Sequence, residues 1–181
     1  MKVVGIGLNK TGTTTLGECL NYWGLKHISC NQEAFNLWRN QNYDELLDWV
    51  GKYDSFEDWP WPLIYKLIDE KFPFSKFILT TRKDADTWFR SLCEHANRTG
   101  PTAYRKYIYG YEMPHKYKAH HIQIYENHLV SIRDYFSNRP SDLLEVCWEN
   151  GDGWEQLSEF LGFECPNIAF PHANKSSSRK E

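Results

Sequence analysis

Lys2-Val3-Val4-Gly5-Ile6-Gly7-Leu8-Asn9-Lys10-Thr11-Gly12-Thr13-Thr14-Thr15-Leu16 is the stretch on which the fold turns. Val3, Val4 and Ile6 are β-branched, and Gly5 and Gly7 let another backbone come close, so residues 2–8 are expected to form a buried strand. Asn9 to Thr13 carries turn chemistry. From Thr14 to Trp23 the apolar residues Leu16, Cys19, Leu20 and Trp23 recur at helical spacing, and Gly24 is a fitting stop. The order is therefore strand, glycine-bearing loop, helix. A lysine, a glycine and three hydroxyls at the start of a helix point to anion binding. The helix N-terminus offers unpaired N–H groups and a positive dipole end, glycine admits the anion to the backbone, and lysine adds a full charge. The structural alternative is an ordinary threonine-capped helix after a tight turn.

Outward from this stretch, strands keep alternating with helices. Short strands are expected at residues 26–29 and 54–58, with amphipathic helices at 34–39 and 43–50 between them. Pro60 and Pro62 precede a helix over 63–72, in which Leu63, Leu67 and Ile68 are expected to face inward. Phe77-Ile78-Leu79-Thr80-Thr81 is the clearest strand; it runs into Arg82 and a helix over 84–97. Residues 98–118 lack a clean period and predict a mixed helix and loop excursion. A long helix over 117–136, a strand over 143–148 and a helix over 154–161 ended by Gly162 complete the chain. Such alternation predicts an α/β three-layer sandwich, a central parallel sheet flanked by helices, with ligand at the C-terminal ends of the strands. A single α/β domain is expected over 1–175, with a disordered tail at 176–181.

Composition limits the function. The 181 residues carry 21 Lys and Arg against 24 Asp and Glu, a formal charge of −3, which excludes a strongly basic nucleic-acid binder. A hydrophobic fraction of 41% with 16% aromatics excludes a disordered chain. The apolar run Val3 to Leu8 is far short of the roughly 20 residues that cross a bilayer. Met1 and Lys2 lead straight into it without the pattern of a signal peptide. Five widely spaced cysteines, Cys19, Cys30, Cys93, Cys147 and Cys165, without a C-x-x-C pair, suggest neither a disulfide framework nor a zinc ribbon, and fit a reducing cytoplasm.

Two familiar phosphate loops do not match. In G-x-x-x-x-G-K-[ST] the lysine follows the second glycine, whereas Lys10 precedes Gly12; in G-x-G-x-x-G the third glycine falls on Lys10. The order Lys10-Thr11-Gly12-Thr13-Thr14-Thr15-Leu16 instead resembles the 5′-phosphosulfate loop of the sulfotransferases that use 3′-phosphoadenosine 5′-phosphosulfate, with Asn9 where that family has a proline. The segment Phe77 to Arg82 with Ser91, nine residues beyond the arginine, resembles its 3′-phosphate segment. Asp58-Trp59-Pro60, Glu145 to Trp148 and Phe170-Pro171-His172-Ala173-Asn174 extend the likeness over most of the chain, closest to the small, mainly microbial branch. The resemblance implies a P-loop-NTPase-like sulfotransferase fold and transfer of a sulfuryl group to a hydroxyl or amine of a small acceptor without a metal. Lys10, Thr11, Gly12, Thr13 and Thr14 would take the 5′-phosphosulfate. Arg82 and Ser91 would take the 3′-phosphate, arginine being suited by its fork of parallel donors. The family's basic C-terminal segment has as its counterparts here only Lys175, Arg179 and Lys180.

Sulfuryl transfer needs an in-line acceptor, a proton acceptor, and positive charge where the leaving phosphate becomes more negative. Lys10 fits the last role. Where the family carries a histidine before Leu-Pro, this chain has Asp58 before Trp59-Pro60, so Asp58 is the candidate base; Glu57 and His95 are its rivals, and a structural cap is the other reading of Asp58. His115, His120, His121 and His128 do not repeat at ligand spacing, and no metal site is expected. Five tyrosines and a local excess of basic residues between positions 98 and 118 suit an acceptor lid for a sugar, a phenol or an anionic molecule, or else a partner-binding surface. A P-loop-like nucleotide kinase and a non-catalytic nucleotide-binding module are the competing functions.

Overall fold

The computed structural model describes residues 1–171, so His172-Ala173-Asn174, Lys175, Arg179, Lys180 and the expected tail lie outside the described residues. The described chain divides into two compact units, Met1–Thr81 together with the residues from Pro140 onward, and Arg82–Arg139.

The first unit holds a five-stranded parallel sheet. Its strands are β1 (Val3–Gly5), β2 (His27–Ile28), β3 (Ser55–Phe56), β4 (Lys76–Thr80) and β5 (Leu143–Val146), in the order β2-β3-β1-β4-β5. β1 lies at the centre, and its valines are essentially inaccessible. Gly5 pairs with Ile78, and Ile6 N–H still donates to Ile78 O at 2.8 Å, but the chain leaves the strand there, short of the expected 2–8. The reason is the packing of Gly7 on β4: a Cβ at Gly7 would lie 2.1 Å from Thr80 Oγ1 and 2.3 Å from Thr80 O, a separation only glycine tolerates.

Helices cover both faces. Val3, Ile78 and Val146 meet α1 (Thr13–Tyr22) and α8 (Trp154–Leu161) through Leu16, Cys19, Leu20, Trp154, Leu157 and Leu161. Val4, Phe56, Phe77 and Leu79 point to the other face and are fully buried, with Trp61 packed 4.9 Å from Phe56 between ring centroids. Helices α2 (Gln32–Arg39), α3 (Tyr43–Gly51) and α4 (Tyr65–Lys71) lie between β2 and β4 in the chain. Asn31 caps α2 by accepting from Ala34 N–H at 2.9 Å. Just before α4 Trp61, Pro62 and Ile64 are buried, and within it Tyr65 and Ile68; Leu63 and Leu67 are only half-buried, because a 3₁₀ turn at Trp61–Leu63 offsets the inward face from the expected one. The result is the three-layer α/β sandwich that the alternation implied. Among the described residues no helix is long and apolar enough to cross a membrane.

The second unit is helical, with α5 (Ala85–Thr99), α6 (Ala103–Tyr109) and α7 (Lys118–Phe136). Asp84 caps α5, its carboxylate accepting from Thr87 N–H at 2.6 Å. Trp88 stacks on Tyr125 at 4.6 Å and 10°, joining α5 to α7. The excursion over 98–118 is organised around Arg105, a buried guanidinium that donates to Glu112 O at 2.7 Å, to Thr99 Oγ1 at 3.1 Å and to Gly100 O. Burial pulls Arg105 below the usual guanidinium range. Tyr111 and Tyr117 stack at 3.5 Å on the same excursion.

Candidate active site

In a sheet of this order the chain leaves β1 toward β2 on one side and leaves the adjacent β4 toward β5 on the other, the arrangement in which a ligand is expected at the carboxyl ends of β1 and β4. The loop after β1 is built to hold its shape there. Lys10 has φ 74° and Gly12 φ 93°, so two left-handed residues turn the chain sharply into α1. Thr11 is fully buried, and its hydroxyl donates to Leu8 O at 2.7 Å. A hydroxyl has one hydrogen, so the 2.6 Å contact between Thr11 Oγ1 and Thr80 Oγ1 is donated by Thr80. Thr11 thus fastens the loop to β4. Its N–H also turns inward, to Leu8 O at 3.3 Å.

Gly12 is the N-cap of α1, and no side chain caps the helix. The first-turn amides of Thr13, Thr14 and Thr15 therefore present a positive helix end that the N-cap residue itself does not cover. Gly12 O accepts from Leu16 N–H at 3.2 Å and from the Trp148 indole at 3.1 Å. A Cβ on Gly12 would lie 2.3 Å from Trp148 Cδ1, so the glycine is required by both its φ and its neighbour. Trp148 and Thr80 are the loop's supports that sequence reading did not single out. Both had a weak signal: each stands at or just beyond the carboxyl end of a strand.

Asp58 stands two residues beyond β3, half-buried, with φ 63°. Its Oδ1 accepts from Trp59 N–H at 2.9 Å, and its carbonyl accepts from Trp61 N–H at 3.1 Å. The next three residues, Trp59, Pro60 and Trp61, are buried, across a cis Trp59–Pro60 bond. The loop leaving β2 holds this segment: Ser29 O accepts from the Trp61 indole at 3.0 Å, and Asn31 N–H donates to Trp59 O at 3.1 Å. Desolvation pushes the Asp58 carboxyl up to about 7, the negative Glu57 adds to the rise, and the Trp59 amide and Lys10 oppose it. A carboxyl raised toward neutrality within the field of Lys10 is suited to general acid or base chemistry.

The remaining candidates lie in the second unit. Arg82 opens it, directly after Thr81 in the chain, and its N–H donates to the Tyr125 hydroxyl at 3.1 Å. Ser91 is half-buried on α5. His95 lies one turn further along, its Nδ1 2.9 Å from the Arg98 guanidinium, which is the donor of that bond. His120 Nε2 bonds Tyr109 O at 2.9 Å, and His121 Nδ1 bonds Tyr117 O at 2.8 Å, so both rings serve the fold of this unit. Among the described residues no three His, Cys, Asp or Glu side chains group as a metal site.

A tight glycine loop leaving the central strand of a five-stranded parallel sheet, covered by helices on both faces, defines an α/β three-layer fold. The sulfotransferase domain family model matches residues 2–179, and the chain belongs to that family. It is also similar to the Ava biosynthesis cluster protein M of Aspergillus versicolor, with 27% identity over 95% of this chain and 80% of that protein.

Proposed function

We propose that the protein transfers a sulfuryl group from 3′-phosphoadenosine 5′-phosphosulfate to a hydroxyl or amine of a small acceptor, in a single domain formed by residues 1–175. The observation that carries this reading is the uncapped start of α1, where Lys10, Gly12 and the amides of Thr13 and Thr14 suit a phosphosulfate. The donor supplies an activated sulfur–oxygen bond. The acceptor oxygen or nitrogen attacks the sulfur in line, its proton passes to the Asp58 carboxylate, and the bond to the leaving phosphate breaks with its electron pair on oxygen. Lys10 meets that growing charge, and the loop needs no metal to do so. Thr11 serves by holding the loop against Thr80. Arg82 and Ser91 are carried over from the family as 3′-phosphate ligands. Asp58 is placed by a half-buried loop with a buried indole on its carboxyl-terminal side, the sort of environment that keeps a carboxyl basic. The aromatic character of residues 98–118 suits a sugar, a phenol or an anionic acceptor. A cytoplasmic location fits the cysteine usage.

The test is calorimetric titration with 3′,5′-adenosine bisphosphate, 5′-AMP, and ATP with Mg²⁺. The bisphosphate should bind without metal and more tightly than 5′-AMP. Arg82→Ala should weaken the bisphosphate by roughly 1.5–3 kcal/mol, the value of a lost charge-assisted contact, and leave 5′-AMP nearly unchanged. Equal binding of the two ligands, or preference for ATP with Mg²⁺, would refute the donor assignment.

A further inference from the structure

Glu57, the residue before the proposed base, is buried to 97% and has no place in the chemistry described so far. Its side chain lies on the face of β3 that looks at α1, where a Cβ on Gly17 would stand 3.3 Å from Glu57 Oε1 and 2.9 Å from His27 Nε2. A Cβ on Gly5 of β1 would stand 3.0 Å from Glu57 Cβ. Two glycines therefore leave the recess that this carboxylate occupies. Within it, the Ser29 hydroxyl donates to Oε1, and His27 Nε2 stands 3.8 Å from the same oxygen. His27 is itself oriented by a 2.9 Å bond between Nδ1 and Ser55 Oγ. Among the described residues, Glu57 Oε2 and His27 Nε2 are buried without a hydrogen-bond partner. Charged and polar groups are rarely left so incompletely satisfied, and such arrangements concentrate where a field is used.

We propose that Glu57 is a positioning residue of the transfer site: Ser29 holds its carboxylate beneath α1 with His27 beside it, and its negative charge keeps the adjacent Asp58 carboxyl able to take the acceptor's proton. The proposal rests on the reading of Asp58 as the base. Lys10 alone would hold Asp58 ionised and make it a poor proton acceptor; a second carboxylate at the next residue opposes that pull. The groups that set the balance come from every side of the pair. Lys10 comes from the loop after β1, and His27 and Ser29 from β2 and its exit. Ser55 belongs to β3, while α1 brings Leu16 and Gly17 to the recess. Burial and the Glu57 charge both raise Asp58, which is why it reaches about 7 in spite of Lys10.

Carbon-13 NMR titration of the aspartate carboxyls in the full chain tests this, with the Asp58 signal assigned by its loss in Asp58→Asn. In Glu57→Gln the Asp58 midpoint should fall by about one pH unit or more, since the opposing charge is gone. In Ser29→Ala it should fall by less, because the Glu57 carboxylate loses the donor that fixes it beside Asp58. Ser29→Ala decides the matter if Glu57→Gln does not fold. An Asp58 midpoint that stays in place in the folded variants overturns the role of Glu57. Transfer to a simple phenol separates this failure from that of the base assignment. Asp58→Asn that keeps its turnover overturns Asp58 as the base, whereas an inactive Asp58→Asn with an unmoved titration overturns Glu57 alone.

Discussion

Asp58 should make the protein less stable than it would be with a neutral residue in its place, and the deficit should grow with pH. The carboxyl is raised from 3.8 to about 7, some three units. Its folded-state pKa lies above its unfolded one, so between those values the native state binds more protons than the unfolded chain, and stability falls as pH rises. At 1.36 kcal/mol per unit the ceiling is about 4 kcal/mol. Because Asp58 keeps partial contact with water, which screens its charge, about 1–3 kcal/mol is the realistic size. Asp58→Asn keeps an oxygen for the Trp59 amide and removes the charge. Urea unfolding of the two proteins at a series of pH values should give nearly equal stabilities at pH 4. The asparagine variant should then gain progressively, reaching its full advantage by pH 8, while its sulfuryl transfer drops by roughly 10² to 10⁴. A difference that does not vary with pH, or a variant that loses stability as pH rises, would refute the reasoning.

Thr80→Val leaves the Thr11 hydroxyl with its donation to Leu8 O but without the hydrogen it now receives, and should cost about 1–2 kcal/mol in thermal or urea unfolding. It should also weaken 3′,5′-adenosine bisphosphate by loosening the loop, as calorimetry would detect. Arg105→Ala strips donors from Glu112 O and Gly100 O, so hydrogen exchange over residues 99–112 should accelerate by at least about tenfold while β1 and β4 keep their protection. Uniform acceleration across the chain would instead make Arg105 a determinant of global stability.

Local signals sufficed for much of this protein. The β-branched run, the glycine loop and the spacing of Leu16, Cys19, Leu20 and Trp23 placed α1 within one residue and β1 with its end three residues too far on, with the glycine loop between them. The alternation of elements implied the parallel sheet. Those features depend on backbone preference and on side-chain period, which a chain carries in its own order of residues. Leu63 and Leu67 were expected to face inward, but a 3₁₀ turn that periodicity does not encode redirects them. The sequence singled out Asp58 and Glu57 as rival candidates for the base. That one is half-buried beside buried indoles and the other sealed under Gly17 follows from the turn after β3 and from where α1 crosses it. Strand order could not be read from position in the chain, because β1 pairs with β3 and β4, both more than fifty residues away. Thr80 beneath Thr11, Trp148 against Gly12 and Ser29 on Glu57 likewise join segments distant in sequence. Such contacts carry no local period: the sequence by itself determined which groups are available for anion chemistry, and only tertiary packing decided which are buried, which are paired, and hence which carboxyl exchanges a proton near neutral pH.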